Sequence, residues 1–279
     1  MLNKVQVYSS LAGVGTITLD PSGSPETDFV QVKHVDGLDP MKANINLLSY
    51  GAIDGDAFLG SHVPSRNIVL TLGPNPDVAT WSYESLRQLL YAYFMPKNSV
   101  QLVFDSDEVG VVQITGIVED NLANQFSKEP EYIVSIICLD PFFTAVTPET
   151  LDGTAVGEGG AFETISYEAN VPTGIRLRVD DNGSDTTRVR VYFGNTGTDW
   201  FDVLAAVTSS VYFDMNSRPL RKAVREVGLV NGIITSRLSE VSNDSKWPAI
   251  FPGDNQFNVV TDGGGQDWHL EYFKRYGGV

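Results

Sequence analysis

The hydrophobic and polar positions in the first half of the chain predict a strand, a helix and a second strand in succession. Residues 66–72 alternate between two faces with the period of two that is typical of a half-buried strand. Residues 82–95 have the i, i+3, i+4, i+7, i+8 spacing of a helix with one buried face, and Pro96 ends it. Residues 100–104 alternate again. The helix stripe consists of Leu86, Leu89, Leu90, Tyr93 and Phe94.

Elsewhere the pattern predicts short strands separated by turns. The first half has further strand patterns, a longer loop at residues 51–65 and an acidic hairpin tip at residues 105–108. The second half alternates almost throughout, and its strongest hairpin signal is Asn231-Gly232. The predicted strands of the first half are 29–35, 42–50, 66–72, 100–104, 111–119 and 132–139.

We therefore expect a mainly β protein with two domains. The first is a β-barrel or sheet domain, residues 1–146, whose open side is covered by the helix. Residues 147–160 are rich in Pro, Thr and Gly without hydrophobic periodicity, so they are predicted to be a linker. Residues 161–279 then form a β-sandwich.

Composition narrows the possible functions. The chain has 19 Lys and Arg against 35 Asp and Glu, a net charge of −16, which disfavours a surface that binds nucleic acid by neutralising phosphates. It contains no apolar run long enough for a membrane span, and its N-terminal residues do not resemble a secretory signal. The one cysteine, Cys138, is predicted to be a buried, unreactive thiol in a strand. Synthesis in a reducing cytoplasm is the expectation.

The sequence predicts no catalytic or metal site, and no cofactor. His34, His62 and His269 are isolated and are expected to be surface or strand residues. A nucleophile elbow, a phosphate-binding loop and a dinucleotide fingerprint are all absent from the sequence. The residues near Asp54 begin like a calcium loop, but the required glycine position holds Leu59.

Two groups of side chains remain candidates for weaker roles. The cluster of Asp105, Asp107 and Glu108 is predicted to be a solvated turn rather than an acid/base site. Several aromatic residues near the C-terminus could stack on sugars, but alternation places Trp268 and Tyr272 together on a core-facing side. Trp247 is left as the candidate for a glycan contact. The full aromatic set is Trp247, Trp268, Tyr272, Phe273 and Tyr276.

A resemblance to a known family extends over nearly the whole chain. The segments that carry it are Asp54-Gly55, 66–72, the helix at 86–93, 100–104, 138–143, Tyr212-Phe-Asp214, Arg218, Asn231-Gly232, 247–255 and 271–277. In their order and spacing these segments resemble the distal tail proteins of long-tailed, non-contractile bacteriophages, the ring-forming hub proteins of the tail tip.

The resemblance implies a fold, a location and partners. The first domain is expected to assemble into a hexameric ring that continues the tail tube, and the second to be a galectin-like sandwich. Partners would be the tail tube protein, the tail-associated hub or lysin protein and a receptor-binding protein, in the virion. Such a protein is structural and not an enzyme.

A ring needs different patches of one subunit to meet around an axis, and unpaired strand edges are natural candidates. We place this interface on the first domain, including residues 51–65. Carboxylates that line the channel would repel DNA and let it slide through. The candidates are Asp54, Asp56, Asp105 and Asp107.

Three alternatives stay open at this point. The chain could be a carbohydrate-binding or adhesion module of a virion or cell surface that uses Trp247. It could be an enzyme acting on cell-wall polysaccharide, which would need two carboxylates facing each other across a cleft. It could also be another ring component of the same particle, such as a tail tube subunit.

Overall fold

The computed structural model describes residues 2–10, 16–19, 30–51, 54–74, 82–124, 131–183, 185–219 and 221–279. The chain divides into two compact units, one of Met1–Val146 with Tyr276–Val279 and one of Thr147–Arg275. The first contains β1 (Leu2–Ser9), β2 (Thr16–Leu19), β3 (Val30–Asp36), β4 (Asn44–Ser49), β5 (Asp56–His62), β6 (Arg66–Pro74), α1 (Tyr83–Tyr93), β7 (Ser99–Ser106), β8 (Gly110–Asn124), β9 (Glu131–Cys138) and β10 (Phe143–Ala145).

The first unit is built on one curled antiparallel sheet. Its order is β2-β1-β7-β8-β9-β6-β3, and β10 is attached to β8. The first and last strands of this order approach each other, so the sheet closes in the manner of a barrel. The inward side chains of alternate strand positions, among them Leu70, Leu102, Val134 and Phe104, form one continuous core.

Helix α1 forms where the apolar spacing predicts it. Ser82 caps its first turn, because the Ser82 hydroxyl accepts a hydrogen bond from the Ser85 N–H at 3.2 Å. The helix buries Leu86, Leu90 and Tyr93 and contacts β1 and β6. The predicted stripe is therefore confirmed as the face that packs on the sheet.

The start of β6 carries a buried cation. The Arg66 side chain is fully buried, and its guanidinium donates to the carbonyl oxygens of Pro141, Gly37, Asp39 and Gly277 at 2.5–3.0 Å. Gly37 has φ +88°, and a Cβ there would lie 2.2 Å from a backbone oxygen of β6, so only glycine fits this close approach. Arg66 thus ties together three segments that are far apart in the sequence.

The second unit contains two antiparallel sheets. Its strands are β11 (Glu149–Thr154), β12 (Glu163–Tyr167), β13 (Thr173–Asp180), β14 (Thr186–Phe193), β15 (Asp199–Val207), β16 (Val211–Asn216), β17 (Ala223–Gly228), β18 (Ile234–Ser236), β19 (Ala249–Ile250), β20 (Gly253–Thr261) and β21 (Asp267–Tyr272), with a short 3-10 helix at Leu238–Glu240. A last strand, β22 (Arg275–Tyr276), pairs with β10 and belongs to neither of these sheets. One sheet has the order β11-β21-β13-β16-β17-β18 with β19 beside β13, and the other has the order β12-β20-β14-β15.

Aromatic side chains join the facing sides of these two sheets. The rings of Phe257 and Trp268 lie 5.5 Å apart, and those of Tyr167 and Tyr272 lie 6.0 Å apart, both edge to face. Trp268 and Tyr272 are buried on the same side of β21, as their alternation predicts. The prediction of a mainly β fold with a C-terminal sandwich is confirmed.

Two expectations about irregular segments differ from the structure. Residues 51–65 are not one long loop, because β5 pairs with β4 in an antiparallel hairpin. β4 agrees with the strand predicted at residues 42–50, whereas neither face of β5 is buried and its sequence lacks the alternation that would reveal a strand. The range 147–160 includes β11, which pairs along its whole length with β21. There Gly153 leaves room for the Trp268 ring, so a residue that suggests a linker instead allows close packing.

Candidate assembly interface

Among the described residues of the first unit, the β4–β5 hairpin is the element with the most exposed apolar side chains. It forms a separate two-stranded sheet, and Leu47 pairs directly with Phe58. A bulge lies between Asn46 and Leu47. Its large apolar side chains are 43% to 65% exposed: Ile45, Leu47, Leu48, Tyr50, Phe58 and Leu59.

Such a hairpin is not expected to stand alone in water. A two-stranded hairpin is marginally stable by itself, and a contiguous exposed apolar patch marks an interaction surface. In the described part of the chain β4 and β5 pair only with each other, so both outer edges keep free backbone groups. The arrangement can add to another protein surface through main-chain hydrogen bonds and apolar contacts together.

The four carboxylates proposed for a channel lie on two different hairpins. Asp54 and Asp56 are exposed at the tip of the β4–β5 hairpin. Asp105 is half-buried near the end of β7, and Asp107 is exposed in the turn before β8. Asp107 already accepts a hydrogen bond from the Asn3 amide at 2.7 Å, which lowers its pKa. Their position relative to a channel stays a prediction.

The second unit has an apolar surface that the sequence interpretation missed. Around the Asn231-Gly232 turn, where Gly232 has φ +65°, several large apolar side chains at the tip of the β17–β18 hairpin and beside it point into solvent. We call the following residues the β17–β18 patch; each is 52% to 92% exposed: Leu229, Val230, Ile233, Ile234 and Leu238. The sequence signal that could have predicted this patch is the group of five apolar residues that flank a hairpin turn without alternating with polar ones.

Trp247 is partly covered by its own neighbours. Its ring lies 5.2 Å from the Phe201 ring, and the Lys222 ammonium lies 5.2 Å from its centroid. Both contacts reduce the ring area that could stack on a sugar. A glycan contact at Trp247 stays a prediction.

The remaining candidate residues lie where their patterns place them. His34, His62 and His269 are exposed strand residues, in β3, β5 and β21. Cys138 is fully buried at the end of β9, and burial raises the pKa of its thiol to about 12. Among the described residues no group of three or more His, Cys, Asp or Glu is arranged to hold a metal ion. No described helix is long and apolar enough to cross a membrane.

The fold of this chain is shared with phage baseplate proteins. The crystal structure of the Dit protein of phage SPP1, described as a paradigm of the hub adsorption apparatus in phages that infect Gram-positive bacteria, matches with a TM-score of 0.66. The match covers 97% of this chain and 98% of that chain at 13% identity. A chain of the phage P2 baseplate, in its activated conformation with Ca, matches with a TM-score of 0.51 over 100% of both chains at 11% identity.

These similarities show the fold and not the activity. No protein-family profile matches the chain, and no curated protein matches its sequence. The structural neighbours are nevertheless phage hub and baseplate proteins, and both units of this chain are included in the match. This is the fold that the sequence resemblance implies.

Proposed function

We propose that this chain is a structural subunit of the tail tip of a long, non-contractile phage tail, without catalytic activity. In this role a closed ring of six copies joins the tail tube protein to the tail-associated hub or lysin protein and to a receptor-binding protein, and DNA passes through the ring. The observation that carries the proposal is the match to the SPP1 Dit fold over 97% of this chain and 98% of that chain.

The β4–β5 hairpin supports self-association through the first unit. Its apolar side chains are exposed in the single chain, and in a ring the neighbouring subunit would bury them in the same way at every interface. Burying one Phe58-sized side chain fully stabilises a contact by about 1.5–3 kcal/mol. A ring repeats this contact at every interface.

Native mass and negative-stain images of the purified chain test the proposal. Six copies of the 30.5 kDa chain amount to about 183 kDa, and a ring with a central hole at that mass is the expected result. Phe58→Asp should shift the mass towards the monomer, because it places a charge in the interface. The matched control is Leu204→Asp, an equally drastic change at a 57% exposed residue of β15. A wild-type chain that stays monomeric in the presence of its tube and hub partners would contradict the proposed role.

The acidic residues add a second test of the same role. As part of the proposal, Asp54 and Asp56 at the hairpin tip face the DNA channel with Asp105 and Asp107 and repel the phosphate backbone. Changing the four to Asn should slow DNA ejection from the particle. The control changes four exposed acids of the second unit to Asn or Gln: Asp152, Glu168, Asp244 and Asp254. Equal ejection rates in all particles would contradict the channel assignment.

A further inference from the structure

The exposed edge of the second unit combines three features that the proposed ring does not use. β18 is the last strand of its sheet, and all three of its residues are exposed. The β17–β18 patch surrounds it with large apolar side chains. The third feature is charge.

Basic residues are concentrated at this edge although the chain as a whole is acidic. Residues 218–238 contain five Lys and Arg and one Glu, whereas the chain contains 19 and 35. Two of the five are already paired, Arg218 with Glu271 and Arg237 with Glu226. The other three, Arg221, Lys222 and Arg225, are exposed and form no ion pair with any described residue.

The register brings charge and apolar surface onto one face. Arg225 lies opposite Ser236, and Val227 lies opposite Ile234, so Arg225 and Ile234 project from the same side of the hairpin. A strand added beyond β18 would meet Ile234 next to it and the Arg225 guanidinium one strand further away. On that strand, a carboxylate and an apolar residue two positions apart would lie on this same face and would match both.

We propose that β18 and the β17–β18 patch form a docking edge for an acidic, extended segment of a different protein. The segment adds as a strand to β18, buries apolar side chains against the patch and neutralises Arg221, Lys222 and Arg225. A second copy that paired through the same edge would bring two clusters of like charge together, so the charge favours another protein. The inference goes beyond the ring and does not depend on it, since it rests on the second unit alone.

Fluorescence anisotropy with labelled peptides tests the docking edge on the full chain. The probes are a peptide of two Glu-Thr-Val-Thr repeats, which carries Glu and Val on one face (the Glu-Val peptide), its counterpart with Lys in place of Glu, and a Glu-Val peptide with a central Pro that blocks strand pairing. We expect the Glu-Val peptide to bind at least tenfold more tightly than either of the others, and added salt to weaken it. Equal binding of the acidic and basic peptides, or no binding of the Glu-Val peptide, would overturn the proposal.

Substitutions locate the binding. Arg225→Glu should remove the preference for the Glu-Val peptide, and Lys222→Glu provides the same test should the first variant fold poorly. Lys42→Glu, an exposed residue of the first unit, is the control for net charge and should bind like the wild type. Val230→Ser should weaken binding, with Leu204→Ser as its apolar control. If Lys42→Glu weakens binding as much as Arg225→Glu does, the docking edge is not where we place it.

The native mass of the same variants separates this proposal from the ring. If Val230→Asp dissociates an oligomer, the patch is a contact between copies and the docking proposal is wrong. A monomeric wild-type chain that still binds the Glu-Val peptide selectively would contradict the ring and support the docking edge.

Discussion

Replacing Arg66 by Met should destabilise the first unit more than any exposed substitution. The guanidinium is fully buried, donates to four backbone carbonyl oxygens and lies 4.5 Å from the Phe143 ring centroid. Methionine fills much of the volume but donates no hydrogen bond, so four acceptors lose their partner. The substitution also removes the cost of burying the guanidinium charge, the desolvation that lowers the pKa of Arg66.

The expected loss follows from these opposing terms. An orphaned buried acceptor costs about 1–3 kcal/mol, and relief of the buried charge offsets part of the total, so we expect a net loss of about 4 kcal/mol. Arg66→Lys keeps the charge, but its compact ammonium cannot reach all four oxygens, and about half that loss is expected. At about 2–4 °C for each kcal/mol, Arg66→Met should lower the melting temperature of this unit by about 10 °C.

Urea unfolding read out by labelling of Cys138 measures this loss. Cys138 pairs directly with Arg66 across β6 and β9, so its thiol becomes accessible when this part of the sheet opens. Arg225→Met, the same change at an exposed arginine, is the control and should stay within about 0.5 kcal/mol of the wild type. A loss below about 1 kcal/mol for Arg66→Met would refute the reasoning, because it would mean that the four carbonyl oxygens need no buried donor.

Three further predictions concern single groups. Cys138 should resist a thiol reagent in the native protein and react fully in denaturant, since its thiol is buried and has a pKa of about 12; fast native labelling would contradict its burial. Desolvation opposes ionisation of Asp202, but hydrogen bonds from two arginines of β14 outweigh it and lower its pKa. The stability that the ionised Asp202 contributes is complete above its unfolded pKa of 3.8 and is lost as the pH falls through the lower, folded pKa. Asp202→Asn should therefore lower the free energy of unfolding by about 2 kcal/mol at pH 7 and by less in acid. A loss that does not depend on pH in chemical denaturation would contradict this. Ser82→Ala should cost about 1 kcal/mol of the stability of the first unit through the lost helix cap, and no loss would show that the cap is replaced by water.

Local patterns in the sequence predicted the regular elements. The helix ends within one or two residues of its predicted range, since a capping serine, a 3.6-residue apolar stripe and Pro96 act within the segment itself. The hairpin at Asn231-Gly232 formed for an equally local reason, because glycine adopts the positive φ that the turn needs. The burial of Trp268 followed from alternation alone.

Only the tertiary structure decided which side chains of these elements are exposed and which are buried. The apolar side chains of β4–β5 and of the β17–β18 patch are exposed because no other described element covers them, although β17 buries Val224 within its own unit. Arg66 shows the opposite case, a charged residue buried because carbonyl groups from three distant segments converge on it. A sequence pattern shows how the apolar and polar residues of a segment are distributed over the faces of its helix or strand. The environment of each face is fixed by residues far away in the chain, so exposure, burial and the candidate interfaces become visible only in the folded protein.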